Sequence, residues 1–366
     1  MSNSQIRLAP ELGELLALGP LACRVAGDDP AGLTETVAGG GAPLRSLILR
    51  HDLAAWWHMA IGEGPAEAFG TDAPAFRHAR AIAAASYMAQ RHALAEVGSA
   101  LDGAGVAYAV FKGAALRERL FSDPSVLPSY DVDILVAPEQ RAAAVTALTR
   151  AGFGLEVDPR TATHEVLLRK PHADIDLHWE LLRPGRMRRA DVSRTLLARR
   201  VRCNAGWVLA DQDALFVALV HPVFAKRVCS AEVVLARIAT FLALERQARV
   251  HWPAVVHLLG ETGLRTAAWC MLGWYLRFAR GEQAAALARW RRELAPGAVR
   301  QAYLGFWIRH ALPLRWRHQR WLVQLGLLAF AHDGLRDAAR AYGRMLAQGP
   351  AARVPGDPLR WAGGQP

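Results

Sequence analysis

Residues 131–136 read DVDILV and residues 173–179 read ADIDLHW, and these two alternating stretches decide the fold. Polar and apolar side chains alternate in both, which is the pattern of a β-strand with one buried face. In the first stretch Asp131 and Asp133 therefore project to one side while Val132 projects to the other. Each stretch predicts a strand with carboxylates on one face and core residues on the other.

The two aspartates of the first stretch are like charges with no lysine or arginine between them. Asp131 and Asp133 repel each other, and a bound cation would remove that cost. Mg²⁺ is the usual ion at such a pair because it prefers carboxylate and phosphate oxygens, and Mn²⁺ is the alternative. An ordinary turn with two solvated aspartates would also explain the motif, so alone it indicates a metal site only weakly.

The second stretch strengthens the metal interpretation. Its polar face carries Asp174, Asp176 and His178, and His172 precedes them in the same alternation. A half-buried strand explains the apolar face, but not why every polar position is titratable or able to bind a metal. A solvated hairpin explains His172 and Asp174 equally well. Asp176 and His178 lie deeper in the strand and are the better candidates.

A third motif stands before these strands, where residues 106–113 read VAYAVFKG. It predicts a strand, a turn in which Gly113 lets the backbone bend tightly, and a helix to residue 120. Backbone N–H groups at the start of such a helix favour phosphate, and the Lys112 charge could reach a triphosphate. The junction is not a Walker A loop, and many α/β proteins contain something similar. We expect Lys112, Gly113 and His178 to bind the nucleotide.

The rest of the chain is predicted to be mainly helical. The expected fold is α+β, a small mixed β-sheet core flanked by helical regions. Its domains are predicted at residues 1–104 (N-terminal helices), 105–200 (core), 201–300 (C-terminal helices) and 301–366 (a basic aromatic extension with a mobile tail). Further core elements are expected at 138–149 (helix), 154–157 and 164–169 (strands). The flanking helices are expected at 10–18, 43–59, 75–101, 211–225, 231–246, 252–259, 266–280 and 284–294.

Composition excludes several other classes of protein. The chain has 366 residues, 52% of them hydrophobic, so a sizeable core is possible and global disorder is not expected. No apolar run approaches the roughly 18 residues of a membrane span, and the N-terminus lacks the pattern of a signal peptide. The four cysteines contain no CxxC pair, which indicates reduced thiols. We expect a cytoplasmic protein.

The formal charge of +11 favours anionic partners, although it is carried almost wholly by arginine. Arginine and tryptophan are concentrated between residues 307 and 321. The favoured interpretation is a helix that packs through tryptophan and faces solvent through arginine. Peripheral contact with an anionic membrane and contact with a nucleic-acid acceptor are the alternatives.

Together the motifs fit one reaction. Asp131, Asp133 and Asp176 on neighbouring strands can hold two divalent ions and form the catalytic and metal-binding set. Such ions would align a nucleoside triphosphate and stabilise the pyrophosphate that leaves. The predicted substrate is therefore an NTP, and the acceptor of the nucleotidyl group could be a small molecule, a protein side chain or an RNA end.

These motifs resemble the uncharacterised bacterial nucleotidyltransferase family of the polymerase-beta-like superfamily. The resemblance rests on Lys112-Gly113, on Asp131-Val132-Asp133 and on the Asp-Leu-His-Trp ending of residues 176–179, and extends weakly over residues 40–275. It implies that Asp131 and Asp133 bind the metals and that Asp176 is the third carboxylate.

Several residues depart from that family's pattern. Leu127 stands where an arginine is often found, Tyr130 where a small residue is common, and Arg237 where an aspartate is usual. Gly113 is followed by Ala114, whereas the superfamily has a Gly-Ser pair. If Leu127 replaces a phosphate-binding arginine, nucleotide binding is weakened or another arginine takes its place.

Two other functions compete with nucleotidyl transfer. A glycosyltransferase also uses a DxD motif, but it needs neither a third carboxylate strand nor the Lys-Gly turn. A degenerate nucleotidyltransferase fold could act as a binding or scaffold module. The change at Leu127 favours that alternative, and the three retained aspartates oppose it.

Overall fold

The fold is built on one mixed β-sheet. The computed structural model describes residues 3–62, 66–127, 129, 131–156, 162–171, 173–229, 233–247, 250–316 and 319–347. In this part of the chain the seven strands are β1 (Tyr108–Phe111), β2 (Val132–Val136), β3 (Gly154–Leu155), β4 (Glu165–Lys170), β5 (Ala173–His178), β6 (Val201–Cys203) and β7 (Gly206–Val208).

The strands are ordered β3-β4-β5-β2-β1-β7-β6. The β2–β5 and β1–β7 pairs are parallel, whereas the other neighbouring pairs are antiparallel. The sheet is therefore mixed, and the predicted α+β class is confirmed.

Helices precede, interrupt and follow the sheet. Those up to the end of β5 are α1 (Asn3–Ala22), α2 (Pro30–Arg50, kinked at Gly41), α3 (Ala54–Ile61), α4 (Ala66–Phe69), α5 (Ala73–Gly103), α6 (Lys112–Leu120) and α7 (Arg141–Arg150). Those after it are α8 (Val192–Ala198), α9 (Asp211–Lys226), α10 (Leu235–Gln247), α11 (Trp252–Thr262), α12 (Arg265–Tyr275), α13 (Gly281–Glu293), α14 (Ala298–Arg309), α15 (Leu312–Arg315), α16 (Arg320–Val323) and α17 (Leu335–Ala347).

Alternation along β2 decides which face of the sheet holds the core and which holds the polar residues. Val132, Ile134 and Val136 belong to the apolar cluster that α5 and α7 cover. Asp133 and Leu135 alternate with them on the opposite face, and Leu135 belongs to the larger core formed with the flanking helices. The polar side chains thus lie on the face opposite α5 and α7.

The β6–β7 hairpin is an addition that sequence reasoning missed. Residues 201–208 continue the sheet through the parallel pairing of Val110 with Val208. Both strands have only three residues, too few for their alternation to stand out. The helix predicted at 43–59 is instead parts of two helices, α2 and α3, because the chain turns between them, where Asp52 has a φ of 61°. The ends of other elements also differ from the predicted ones; β2 begins at Val132 rather than at Asp131. The predicted mobile tail at 349–366 lies outside the described residues.

No helix in the described part is long and apolar enough to cross a membrane. All four cysteines are free thiols, and three of them are buried in the core.

Candidate active site

Asp133 is the buried centre of the site, with 3% of its surface exposed. It lies on β2 in register with Asp176 of β5 and with Phe111 of β1. Its Oδ1 accepts a hydrogen bond from Lys112 Nζ at 2.5 Å and lies 2.9 Å from His178 Nε2. Burial alone would raise its pKa, but the Lys112 charge and the His178 contact together hold the pKa of Asp133 well below its usual range.

Asp176 is the partner of Asp133 across the parallel strand pair. Burial, and then the neighbouring Asp133 charge, raise the pKa of the Asp176 carboxyl to about 7. One ligand atom from each of Asp133, Asp176 and His178 lies within 4.8 Å of the others. Crowded carboxylates of this kind are the donor set that a divalent cation would neutralise.

Asp131 lies at the solvent edge of the same site, immediately before β2. The side chain is exposed, yet the surrounding protein excludes enough water to raise the pKa of Asp131, and the Asp133 charge raises it further. Ser129 Oγ donates to the Asp131 carbonyl at 2.8 Å, and Gln90 Nε2 donates to the Ser129 carbonyl. Asp131 is therefore held beside the tight cluster, of which it is not a member.

The Lys-Gly turn differs in detail from the prediction. The left-handed residue is Lys112, with φ of 56°, and not Gly113. This conformation is uncommon for a lysine and marks local strain, which functional sites often contain. Gly113 instead makes room, because a Cβ there would lie 3.1 Å from Ser129 Oγ. The glycine thus allows α6 to begin against the segment that holds Asp131.

Glu165 and His164 belong to the site, although sequence reasoning did not identify them. Glu165 pairs with His178 across β4 and β5, and its Oε2 lies 3.1 Å from His178 Nδ1. The two nitrogens of the buried His178 ring therefore face Glu165 and Asp133. The His164 ring centroid lies 6.2 Å from that of His178, and burial lowers the pKa of His164 to about 4. The pairing of β4 with β5 would have revealed both, but sequence alone does not give that register.

Arg237 of α10 supplies positive charge near the carboxylates. α10 packs against α6 and α9. The Arg237 charge offsets part of the rise in the pKa of Asp131, and it adds to the fall that burial causes in the pKa of His221. The guanidinium is exposed, and no hydrogen bond or ion pair joins it to a described residue. Leu127, which stands where the resembling family often has an arginine, is buried in the core with 5% of its surface exposed. The available arginine at this site thus comes from another helix.

Asp174 lies outside the cluster of Asp133, Asp176 and His178. It forms an exposed ion pair with Arg169, whose Nε lies 2.8 Å from Asp174 Oδ1. The solvated-hairpin interpretation therefore describes Asp174. His172 lies outside the described residues.

Comparison with known protein families matches residues 50–279, well over half of the chain, to a family described as uncharacterised nucleotidyltransferase. The chain belongs to that nucleotidyltransferase family. The matched range contains β1–β7, the three aspartates, Lys112 and Arg237, so the resemblance expected from the motifs is confirmed. Neither the curated proteins nor the solved structures gave a match.

Proposed function

We propose that this nucleotidyltransferase-family chain transfers a nucleoside monophosphate from an NTP to an acceptor and releases pyrophosphate. The observation that carries the proposal is the register of Asp133 with Asp176 on parallel strands, with Asp131 beside them. Two carboxylates converge there next to a lysine at the start of a helix, with Asp131 at the edge of the same site. This arrangement combines a cation site with a phosphate site.

The residues fit Mg²⁺, with Mn²⁺ as the alternative. Asp131, Asp133 and Asp176 offer the carboxylate oxygens that these cations prefer. Burial and the neighbouring Asp133 charge raise the pKa of Asp176, and a bound cation would favour its ionised form. When bound, the cation would neutralise charge on the triphosphate and the charge that develops on the leaving group. His178 is proposed to orient Asp133 through its Nε2 contact, since imidazole is a poor ligand for Mg²⁺.

The basic groups are proposed to hold the triphosphate. Lys112 pairs with Asp133 in the structure. Once a cation neutralises the Asp133 carboxylate, Lys112 can bind a phosphate oxygen instead. The backbone of α6 from Gly113 onward adds N–H donors at its N-terminus. Arg237 is exposed, close to Asp131 and available to take the role that Leu127 cannot.

The proposed step is a displacement at the α-phosphorus. An acceptor hydroxyl forms the new P–O bond, the bond to the pyrophosphate oxygen breaks, and the hydroxyl proton passes to a base. We assign that role to Asp176, a carboxylate that lies beside Asp133 on the neighbouring parallel strand. The acceptor is a small molecule, a protein side chain or an RNA end.

The proposal is tested by pyrophosphate release from each of the four NTPs, with Mg²⁺ or Mn²⁺, in the presence of candidate acceptors. We expect release with at least one NTP from the wild type, and none from Asp131→Ala/Asp133→Ala. Asp174→Ala is the matched control, because Asp174 lies on the polar face of β5 two residues from Asp176 but is paired with Arg169. Equal nucleotide binding and turnover in the double variant would refute the metal assignment.

A binding module without transfer activity is the second candidate. The ion pair between Lys112 and Asp133 favours it, because it already neutralises one metal-binding carboxylate. This candidate predicts that NTP binding does not depend on divalent metal. It also predicts that no pyrophosphate is released, whichever acceptor is added. Wild-type titrations with and without a chelator therefore separate the two functions.

A further inference from the structure

Helix α14 carries apolar side chains on two opposite faces. Leu304, Trp307 and Ile308 are buried in the core. Val299, Tyr303 and Phe306 follow at helical spacing on the outer face, where Val299 is 86% and Phe306 53% exposed. A helix that is apolar on both sides is normally covered on both sides. The tryptophan-packing interpretation thus holds for Trp307 but leaves the outer face unexplained.

The segment that follows extends this outer surface. Trp321 and Leu325, one helical turn apart, are 64% and 55% exposed. Tyr303 joins the two segments, because its ring centroid lies 4.7 Å from that of Phe330 and its hydroxyl donates to the Gly326 carbonyl. We call the resulting surface the aromatic patch, and its residues are Val299, Tyr303, Phe306, Trp321, Leu325 and Phe330. Exposed apolar side chains grouped in this way mark an interaction site.

The charge around the aromatic patch is positive. Residues 298–347 contain eight arginines and no lysine, against two aspartates and no glutamate. Both aspartates are engaged within the protein: Asp333 accepts backbone N–H groups of α12, and Asp337 pairs with Arg188. The exposed Arg309 and Arg315 lie in the chain between the two halves of the patch.

We propose that the aromatic patch docks on an anionic lipid surface. Tryptophan, tyrosine and phenylalanine favour the boundary between headgroups and acyl chains, and the flanking arginines would contact lipid phosphates. A second copy of the chain fits less well, because a two-fold interface would bring the same arginines against each other. Single-stranded RNA fits less well too, since aliphatic Val299 and Leu325 offer bases nothing to stack on.

The test is flotation of the full chain with vesicles of phosphatidylcholine alone and with added phosphatidylglycerol. We expect the wild type to bind only the anionic vesicles, and to be released at high salt. Phe306→Ser/Trp321→Ser should lower the partition coefficient by about tenfold or more, because two aromatic anchors are lost. Arg309→Glu/Arg315→Glu should abolish binding to the anionic vesicles.

Ile82→Ser/Met88→Ser is the matched control, since both side chains are exposed and apolar but lie on α5. It should bind vesicles as the wild type does, and all variants should retain the wild-type thermal unfolding midpoint. Wild-type protein that does not float, or an aromatic-patch variant that floats unchanged, would overturn the proposal. So would a wild-type dimer that the patch variant converts to monomer in sedimentation experiments, or RNA binding that the patch variant alone loses.

Discussion

Asp133 and Asp176 occupy the same level of two parallel strands, and their carboxylates share one small volume with the His178 imidazole. The two acids nevertheless differ in charge behaviour. Lys112 and His178 keep Asp133 ionised, whereas burial and the Asp133 charge favour the protonated form of Asp176. Two neighbouring carboxylates with opposite pKa shifts are typical of a site built for cations and proton transfer.

Asp176→Asn should stabilise the metal-free protein at pH 8 but not at pH 4. The folded-state pKa of about 7 exceeds the unfolded value of about 3.9, so protonation favours the folded state. Protonated Asp176 therefore contributes fully to the free energy of unfolding below the unfolded pKa. This contribution, on the order of 2–4 kcal/mol, is lost as the pH rises through 7. Chemical unfolding in chelator at both pH values measures the difference. If the variant is no more stable than the wild type at pH 8, ionised Asp176 does not destabilise the folded protein.

Glu165→Ala should impair function through His178. Removing the carboxylate 3.1 Å from Nδ1 frees the imidazole to rotate away from Asp133, and second-sphere losses of this type cost about 10–100-fold in metal affinity or activity. Glu165→Gln should recover part of the loss, because the amide keeps a side chain of the same shape beside the His178 ring. The control is Glu156→Ala, an exposed partner of Arg169. Equal metal affinity in wild type and Glu165→Ala would contradict this role.

Arg237→Ala should weaken NTP binding by about tenfold or more, the effect of losing one charge-assisted hydrogen bond. The loss should be smaller for the monophosphate, because fewer phosphate charges remain to be contacted. Arg292→Ala, an exposed arginine on α13, should bind NTP as the wild type does. Equilibrium titration with a fluorescent NTP measures all three proteins, and a matching loss in both variants would point to net charge alone.

Gly113→Ala should destabilise the fold and displace Asp131, since the added Cβ would lie 3.1 Å from Ser129 Oγ. Overpacking at such a contact costs about 1–3 kcal/mol. Gly103→Ala is the control, because its Cβ would meet no atom within 4 Å and alanine favours the helical conformation. The two variants should therefore change the unfolding free energy in opposite directions, and a similar stabilisation of both would contradict the account.

The sequence predicted the carboxylate strands because alternation is a local property. The pattern of residues 131–136 fixed the face of Asp133 without any knowledge of its neighbours. Glu165 and Arg237 could not be found in this way. Glu165 reaches the site through the register of β4 against β5, and Arg237 through the packing of a helix about 100 residues away in the chain.

Backbone conformation also lay beyond the sequence pattern. Glycine is the usual left-handed residue, so Gly113 was the natural choice for the turn, whereas the fold places Lys112 there. The hairpin at residues 201–208 was too short to give a periodic signal. The domain boundaries and the cytoplasmic location remain predictions from the sequence.

The most direct test of the central claim is Mn²⁺ binding, followed by electron paramagnetic resonance of the free ion. We predict that the wild type binds Mn²⁺, that NTP increases its affinity, and that Asp133→Asn and Asp176→Asn each lose the ion. Asp174→Asn should bind it as the wild type does, because that carboxylate is paired with Arg169. Mn²⁺ binding that survives in Asp133→Asn and Asp176→Asn, or that is lost equally in Asp174→Asn, would contradict the account.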